Sequence, residues 1–219
     1  MNILKALALI GLGGLVSACG GVDTATRNAP FEHIAPAIAQ QGVAPEAIMS
    51  AISIASIRVD VPRSLSVSEA NSYYPRGDIV WRGEVFGDRH AQVKSIFEDA
   101  FNRTAASLSG ETAIAVEARV ARFHGITEKA RYRTGGVHNI AFDLTFRDAA
   151  TGEILGETRR VVADLAALGG RAAIEADRRG QTQRVRIVAH LAEVLRQEMT
   201  EPQGHVTARL GMFQTLNNF

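Results

Sequence analysis

Histidine is the residue type of this chain best suited to acid–base catalysis or metal binding, because its side chain titrates near neutral pH and ligates zinc. The 219-residue sequence contains six histidines without close metal-ligand spacing: His33, His90, His124, His138, His190 and His205. No H-E-x-x-H, C-x-x-C, G-x-S-x-G or phosphate-binding glycine loop accompanies them. We therefore predict a protein that is not an enzyme and that carries no cofactor and no metal.

Two other arrangements of these residues remain open. His124 and His138 fall on predicted neighbouring strands and could share a metal ion, although two histidines rarely suffice for zinc. A hydrolase could instead pair His90 or His124 with Asp88 or Glu128. That alternative requires a concave pocket in which such a pair lies within hydrogen-bond reach.

The single cysteine of the chain is placed for a different chemistry. One lysine precedes an apolar run from Ala6 to Val16. The last residue of this run begins the sequence Val-Ser-Ala-Cys, which ends at Cys19. A positive charge, an apolar run and then small residues are typical of a signal peptide. The last four residues resemble the bacterial lipobox, in which the cysteine thiol is diacylated and the chain is cut before it. The alternative is an ordinary secretory signal that happens to contain a cysteine.

The sequence around Cys19 predicts the location of the protein. The apolar run is about half of the ~20 residues that span a bilayer, so we expect no transmembrane helix there. We predict a lipoprotein signal peptide over 1–18, then the lipidated cysteine and a small, polar, flexible tether over 19–30. Two or three acyl chains hold a protein stably on a membrane. Gly20 after the cysteine resembles sequences sorted to the outer membrane, and we expect the domain to face the periplasm there.

Composition and charge exclude several classes of protein. One cysteine rules out an internal disulfide framework or a four-thiolate zinc site, and 20 Gly with 6 Pro is too little for a collagenous chain. The chain has 24 Lys and Arg against 23 Asp and Glu. Such a near-zero net charge argues against a nucleic-acid partner.

Two segments are candidates for binding a partner. The segment 117–133 has an excess of positive charge, and a long connection before it carries aromatic residues. Arginine presents a planar fork suited to carboxylate or phosphate, and aromatic rings on a long connection could line a groove. The candidate residues are Tyr73, Tyr74, Trp81, Arg82, Arg122, His124, Lys129, Arg131 and Arg133. The alternatives are a solvated polar face for the charged segment and rings that cover a sheet edge.

Hydrophobic periodicity predicts the elements that carry these residues. Apolar residues alternate in strands over 56–61, 78–82, 114–123, 139–147 and 153–164. They follow helical spacing over 45–51, from the capping residue Asp88 to about Ser109, and from 170 to 199 with an interruption at Gly180. We predict one α+β domain over 31–204 with a loose tail over 205–219. Its expected fold is a two-layer sandwich, with a mostly antiparallel sheet of about four strands and two main helices on one face.

Three stretches of the domain carry a family resemblance. SLSVSEANSYYPRGDIVWRG (64–83), GDRHAQVKSIFEDAF (87–101) and TEKARYRTGGVHNIAFDLTFRD (127–148) resemble an alphaproteobacterial family of uncharacterised outer-membrane-type lipoproteins. The resemblance covers about residues 55–200. It implies an envelope location and no particular activity.

Together these observations favour a membrane-anchored lipoprotein that binds an envelope protein, peptidoglycan or a glycolipid without catalysis. One alternative is an auxiliary lipoprotein of a lipid or polysaccharide transport system. That alternative requires an apolar cavity wide enough for acyl chains. The hydrolase is the third hypothesis.

Overall fold

The computed structural model describes residues 44–210, which belong to one compact unit and contain five helices and six strands. Residues 1–43 and 211–219 lie outside the described residues, and with them the predicted signal peptide, Cys19 and the tether. In chain order the elements are α1 (Pro45–Ala51), β1 (Ile52–Asp60), β2 (Ile79–Val80), α2 (Arg89–Ala105), β3 (Thr112–His124), α3 (Glu128–Arg131), β4 (Gly136–Asp148), β5 (Arg159–Val162), β6 (Leu165–Ala167), α4 (Gly170–Arg178) and α5 (Gln183–Thr200).

The sheet is mixed, which corrects the prediction of a mostly antiparallel sheet of about four strands. Its order is β1-β3-β4-β5, with β1 parallel to β3 and the other two pairs antiparallel. The short strand β2 also runs parallel to β3, next to its last residues, and β6 pairs with the first residues of β4. Parallel neighbours need a long crossover connection. Here the connection from β1 to β3 contains α2.

The two long helices cover one face of the sheet, as a two-layer α+β sandwich requires. Asp88 caps α2 by accepting a hydrogen bond from the Ala91 backbone N–H at 3.1 Å, as the sequence predicts. The buried stripe of α2 contains Val93, Ile96, Phe97, Ala100 and Phe101, and α5 adds Ile187, Leu191, Val194 and Leu195. The Phe97 ring lies 5.1 Å from the Phe142 ring of β4, with the two rings edge to face. The core is therefore built from helix stripes and the apolar residues of the strands.

The opposite face of the sheet is polar. Charged residues of neighbouring strands pair across it: Arg119 with Asp60 at 3.3 Å, Arg147 with Glu117 at 3.0 Å, and Arg160 with Asp143 at 2.5 Å. These residues alternate with the core residues along the strands, because successive side chains point to opposite faces. A cleft of about 280 Å³ on this face is lined mostly by residues of charged and polar type, which include Arg58, Asp60, Glu117 and Arg119.

Several elements differ from the predictions in length. The predicted strand 153–164 is interrupted, with one bridge at Ile154 and then only β5. The interruption predicted at Gly180, by contrast, is confirmed, because it separates the two helices α4 and α5. The predicted loose tail is hydrogen-bonded to the domain at its start: the His205 N–H donates to Glu198 Oε1 at 2.8 Å, and the Asp164 N–H to Thr207 Oγ1 at 3.3 Å. Among residues 44–210 no helix has the length and apolarity needed to cross a membrane.

Candidate functional site

The long connection between β1 and β2 folds onto the segment that follows β3, so the two predicted binding segments meet. Thr127 Oγ1 donates to the Ser72 carbonyl at 2.7 Å, and the Lys129 N–H donates to Asn71 Oδ1 at 2.9 Å. His124 Nε2 lies 2.8 Å from the Pro75 carbonyl. These contacts hold residues 71–75 against the turn that leads into α3.

This junction presents a group of exposed residues that we call the tyrosine patch: Tyr73, Tyr74, Lys129, Tyr132 and Arg133. The patch contains all three tyrosines of the chain. Their exposed fractions are 42%, 55% and 56%. The Lys129 ammonium lies 5.0 Å from the centre of the Tyr73 ring, within range of a cation–π interaction. Tyrosine is enriched at protein interfaces because it combines a large apolar ring with a polar group.

A small cleft opens beside two of these tyrosines. Its lining includes Tyr73, Tyr74, Ile126, Ala130 and Val137, and its volume is about 30 Å³. A space of this size holds about one or two water molecules or one small apolar group. The cleft can therefore accept the end of a side chain but not an acyl chain.

The charges of the patch are uncompensated, unlike those of its neighbours. Within the part of the chain that the structure describes, neither Lys129 nor Arg133 has a carboxylate partner. Arg82, by contrast, pairs with Glu128 and with Glu69. The patch thus offers two exposed positive charges that have no carboxylate partner among residues 44–210, and Lys129 lies against Tyr73 of the cleft. This arrangement suits an acidic group beside a small apolar one.

Four of the predicted binding residues serve the fold instead. Trp81 is fully buried and packs edge to face on the Phe123 ring, 5.6 Å away. His124 and Arg131 are also buried, and Arg131 forms an ion pair with Asp177 of α4. The guanidinium of Arg82 is engaged in its ion pairs with Glu128 and Glu69. Trp81, His124 and Arg131 therefore have little surface to offer a partner, and the guanidinium of Arg82, whose side chain is 23% exposed, is already paired.

Arg122 is half-buried, near Asp78 and Asp164. Burial lowers the pKa of its guanidinium, and the two carboxylates oppose that shift. Its surroundings therefore make it part of a polar network beneath the surface, whereas Lys129 and Arg133 are exposed. Of the nine residues that the sequence predicts, the structure leaves Tyr73, Tyr74, Lys129 and Arg133 exposed, and it places the Lys129 ammonium over the Tyr73 ring.

Tyr132 is the residue of the patch that the sequence-based set omits. It caps the carboxyl end of α3, a four-residue helix that we did not predict. The signal was present, because Thr127 followed by Glu128 is typical of a helix start. Thr127 does accept a hydrogen bond from the Ala130 N–H.

The two alternative roles of histidine were a shared metal ion and a hydrolase pair. The structure does not show the geometry that either role requires. His124 lies opposite Asn139, beside His138, but among the described residues no three His, Cys, Asp or Glu side chains are grouped to hold a metal ion. His90 Nδ1 is 3.9 Å from Asp88 Oδ1, beyond hydrogen-bond distance. The Arg63 guanidinium holds the pKa of Asp88 at about 2, so this carboxylate is a weak base.

We expect the protein to lose stability on acidification, because His138 is neutral in the folded state. Burial, followed by the charges of Arg186, Arg131 and His190, lowers the pKa of His138 from 6.5 to about 3. The unfolded chain binds a proton below pH 6.5 that the folded chain does not bind until about pH 3. Stability therefore falls as the pH drops through this window. For this residue the loss between about pH 7.5 and pH 5 is about 2 kcal/mol.

Urea unfolding at these two pH values measures this effect. A His138→Met variant should show a shallower dependence of unfolding free energy on pH, whatever its absolute stability. Burial also lowers the pKa of His124, His190 and His205, so part of the dependence should remain. An unchanged dependence in the variant contradicts the role assigned to His138.

Comparison with known proteins gives a family and some partial structural similarities. A candidate lipoprotein from Caulobacter crescentus CB15 is 15% identical, with 71% of this chain and 92% of that chain covered and a TM-score of 0.34. A DUF330 protein from Xanthomonas campestris is 10% identical over 64% of this chain and 81% of its own, with a TM-score of 0.38. An uncharacterized protein is 14% identical over 67% and 93%, with a TM-score of 0.32. TM-scores of this size do not establish a common fold.

No curated protein matches the chain. The profile of a family of unknown function, DUF6778, matches residues 52–215, which include all six strands and helices α2 to α5. The chain therefore belongs to this family of unknown function, DUF6778.

Proposed function

We propose that the protein is a lipoprotein of the bacterial envelope that binds a partner through the tyrosine patch and catalyses no reaction. The anchor is Cys19, because the only thiol of the chain follows a signal-peptide pattern and ends a lipobox-like sequence. Gly20 favours the outer membrane, with the domain in the periplasm. The family resemblance supports an envelope location. We further propose that this family is alphaproteobacterial and consists of outer-membrane-type lipoproteins.

The observation that carries the binding role is the exposed pair Tyr73 and Tyr74 beside a small cleft, with the Lys129 ammonium over the Tyr73 ring. Interface residues that contribute most to binding are enriched in tyrosine and arginine. The cleft of about 30 Å³ next to Tyr73 and Tyr74 would take a small apolar side chain, and Lys129 and Arg133 would face a carboxylate. We therefore propose an envelope protein with an acidic, partly apolar segment as the partner.

The transport alternative needs a wide apolar cavity. Of the two clefts described above, the one beside the tyrosines is too small for an acyl chain, and the other is lined mostly by residues of charged and polar type. Neither favours binding of a lipid tail. A glycolipid headgroup, which could meet the same positive charges through its phosphates, remains an outcome to be distinguished by experiment.

Photocrosslinking in intact cells tests the proposal. A photoreactive amino acid in place of Tyr74 should give one protein adduct, identified by mass spectrometry. The double substitution Lys129→Glu and Arg133→Glu should reduce that adduct about tenfold or more, because it reverses the charges that face the partner. Arg119→Gln, on the polar sheet face, is the matched control and should leave the adduct unchanged.

Three results would contradict parts of the proposal. A glycolipid adduct rejects the protein partner, and an adduct that survives charge reversal rejects the patch. Cys19→Ser should move the chain from the membrane to the soluble fraction. A Cys19→Ser chain that stays with the membrane rejects the lipid anchor.

A further inference from the structure

The loop between β2 and α2 exposes two consecutive apolar side chains. Val85 is 86% exposed and Phe86 is 82% exposed, the two highest values among the large hydrophobic residues that the structure describes. Single exposed apolar residues are ordinary on protein surfaces. Two adjacent apolar side chains with such a high exposed fraction require a physical explanation.

A buried arginine holds the backbone of this loop in place. Arg89 is only 4% exposed, and its Nη1 donates to the carbonyls of Glu84 at 3.3 Å and Val85 at 3.1 Å. The Val85 carbonyl also accepts from Gln92 Nε2 at 2.9 Å. Arg89 is itself fixed by Glu69, 2.6 Å from its Nε. The loop is therefore tied to α2 at its backbone, while the side chains of Val85 and Phe86 remain largely exposed.

The charged groups next to the loop are neutralised. The Glu84 carboxylate pairs with Arg184 at 2.6 Å, and Arg184 also pairs with Asp99 at 2.8 Å. The Arg89 guanidinium lies 5.7 Å from the centre of the Phe86 ring and is paired with Glu69. A tip that is apolar, fixed and free of net charge is suited to the boundary between lipid headgroups and acyl chains.

We propose that Val85 and Phe86 insert into the lipid bilayer to which the protein is anchored. This inference rests on the proposed anchor at Cys19. Cys19 and Ala44, the first described residue, are 25 positions apart. Whatever its conformation, such a segment spans at most about 90 Å. The anchor thus keeps the loop within reach of the bilayer at an effective concentration on the order of millimolar, so a weak apolar contact is sufficient.

The lipid contact has a specific consequence for the two surfaces of the protein. Because the loop carries no free charge, its insertion should be insensitive to salt, whereas binding through Lys129 and Arg133 should weaken as salt screens them. Insertion would also restrict the rotation of the domain, so that one face stays towards the membrane.

Depth-dependent fluorescence quenching tests the insertion. The full-length lipidated chain with Val85→Cys carries one free thiol, since Cys19 is acylated, and this thiol takes an environment-sensitive dye. The protein is placed in vesicles of phosphatidylethanolamine and phosphatidylglycerol that contain nitroxide-labelled acyl chains. Dye at position 85 should be quenched several-fold more than dye on the Arg119→Cys control, with no change in about 1 M salt. Adding Phe86→Ser should lower the inserted fraction about tenfold.

The outcomes separate this inference from the proposed function. Protein that floats with the vesicles while position 85 is quenched no more than position 119 overturns the inference and leaves the anchor intact. Protein that does not float overturns the anchor, and with it the inference. A disulfide between the position-85 thiols of two unlabelled copies, without quenching of the labelled protein by lipid, would identify a second copy as the occupant and also overturn the lipid contact.

Discussion

Removal of either charge from the buried pair Arg159–Glu198 should lower the free energy of unfolding by about 3–5 kcal/mol. Arg159 Nη1 and Glu198 Oε2 lie 2.9 Å apart, with side chains only 9% and 1% exposed. A charge left at such a depth without its opposite charge has lost its water and keeps only a neutral hydrogen-bond partner, the Gln203 carbonyl for Arg159 and the His205 N–H for Glu198. Glu198→Gln and Arg159→Met should therefore both be strongly destabilised in urea or thermal unfolding.

A double variant distinguishes an ion pair from a general packing defect. Replacing both residues, as Arg159→Met with Glu198→Leu, removes both charges and should recover most of the lost stability. The exposed pair of Arg63 with Asp88 is the control, since Arg63 is 70% exposed and Arg63→Gln should change the free energy of unfolding little. Additive losses in the double variant contradict the expectation.

The same pair fixes the residues that follow α5. Arg159 Nη2 donates to the Gln203 carbonyl at 3.1 Å. Gly204 has a φ of 64°, and an added Cβ would lie 2.4 Å from Arg159 Nη2. Only glycine combines this backbone conformation with so close an approach. The variants of the ion pair should therefore also expose residues 203–207 to hydrogen exchange.

The second large effect concerns Trp81, which sequence reasoning places on a binding surface. Trp81→Ala should cost about 3–5 kcal/mol, because it leaves a cavity against Phe123 in the core. Urea unfolding measures the loss. A variant with unchanged stability but impaired crosslinking through position 74 would return Trp81 to the binding surface.

Two further substitutions test the packing of this ring. Trp81→Phe should cost less than truncation to alanine, since it also removes an indole N–H that has no acceptor among the described residues. A Cβ on Gly83 would lie 2.3 Å from Trp81 Cη2. Gly83→Ala should therefore be destabilising with Trp81 present and much less so in the Trp81→Phe variant, which lacks that atom.

Periodicity predicted the elements whose burial is one-sided. The helical stripe of α2 and its cap at Asp88 are confirmed, as is the alternation along β3 and β4, because one face of each element meets the core. Helix α1 coincides with its predicted range, starting at Pro45. Alternation shows which side of a strand is buried. It does not show whether the neighbouring strand runs parallel or antiparallel. The parallel pairing of β1 with β3 could have been inferred only from the helical crossover between them.

The candidate site was harder to predict, because exposure depends on partners that are distant in sequence. Ile79, Val80 and Trp81 form a short, fully buried apolar run within the predicted strand 78–82. A run without alternation does not show which of its side chains are buried. Arg131 meets Asp177, 46 positions away, whereas Arg133 meets no carboxylate among residues 44–210. The local excess of positive charge therefore predicted the right segment but only some of the residues that are exposed in it.

Because strand β1 pairs with a strand that is synthesised later, β1 stays unpaired for some time during synthesis. Ile52 pairs with Thr112, and the register continues to Asp60 with Arg119, so β1 is made about sixty residues before its neighbour. At the usual ~5–20 residues per second this delay is about 3–12 s. Throughout it, an apolar strand near the amino end has no sheet to join. Strand β1 should consequently stay unpaired until β3 emerges, even though the finished domain keeps this strand packed beside its crossover helix.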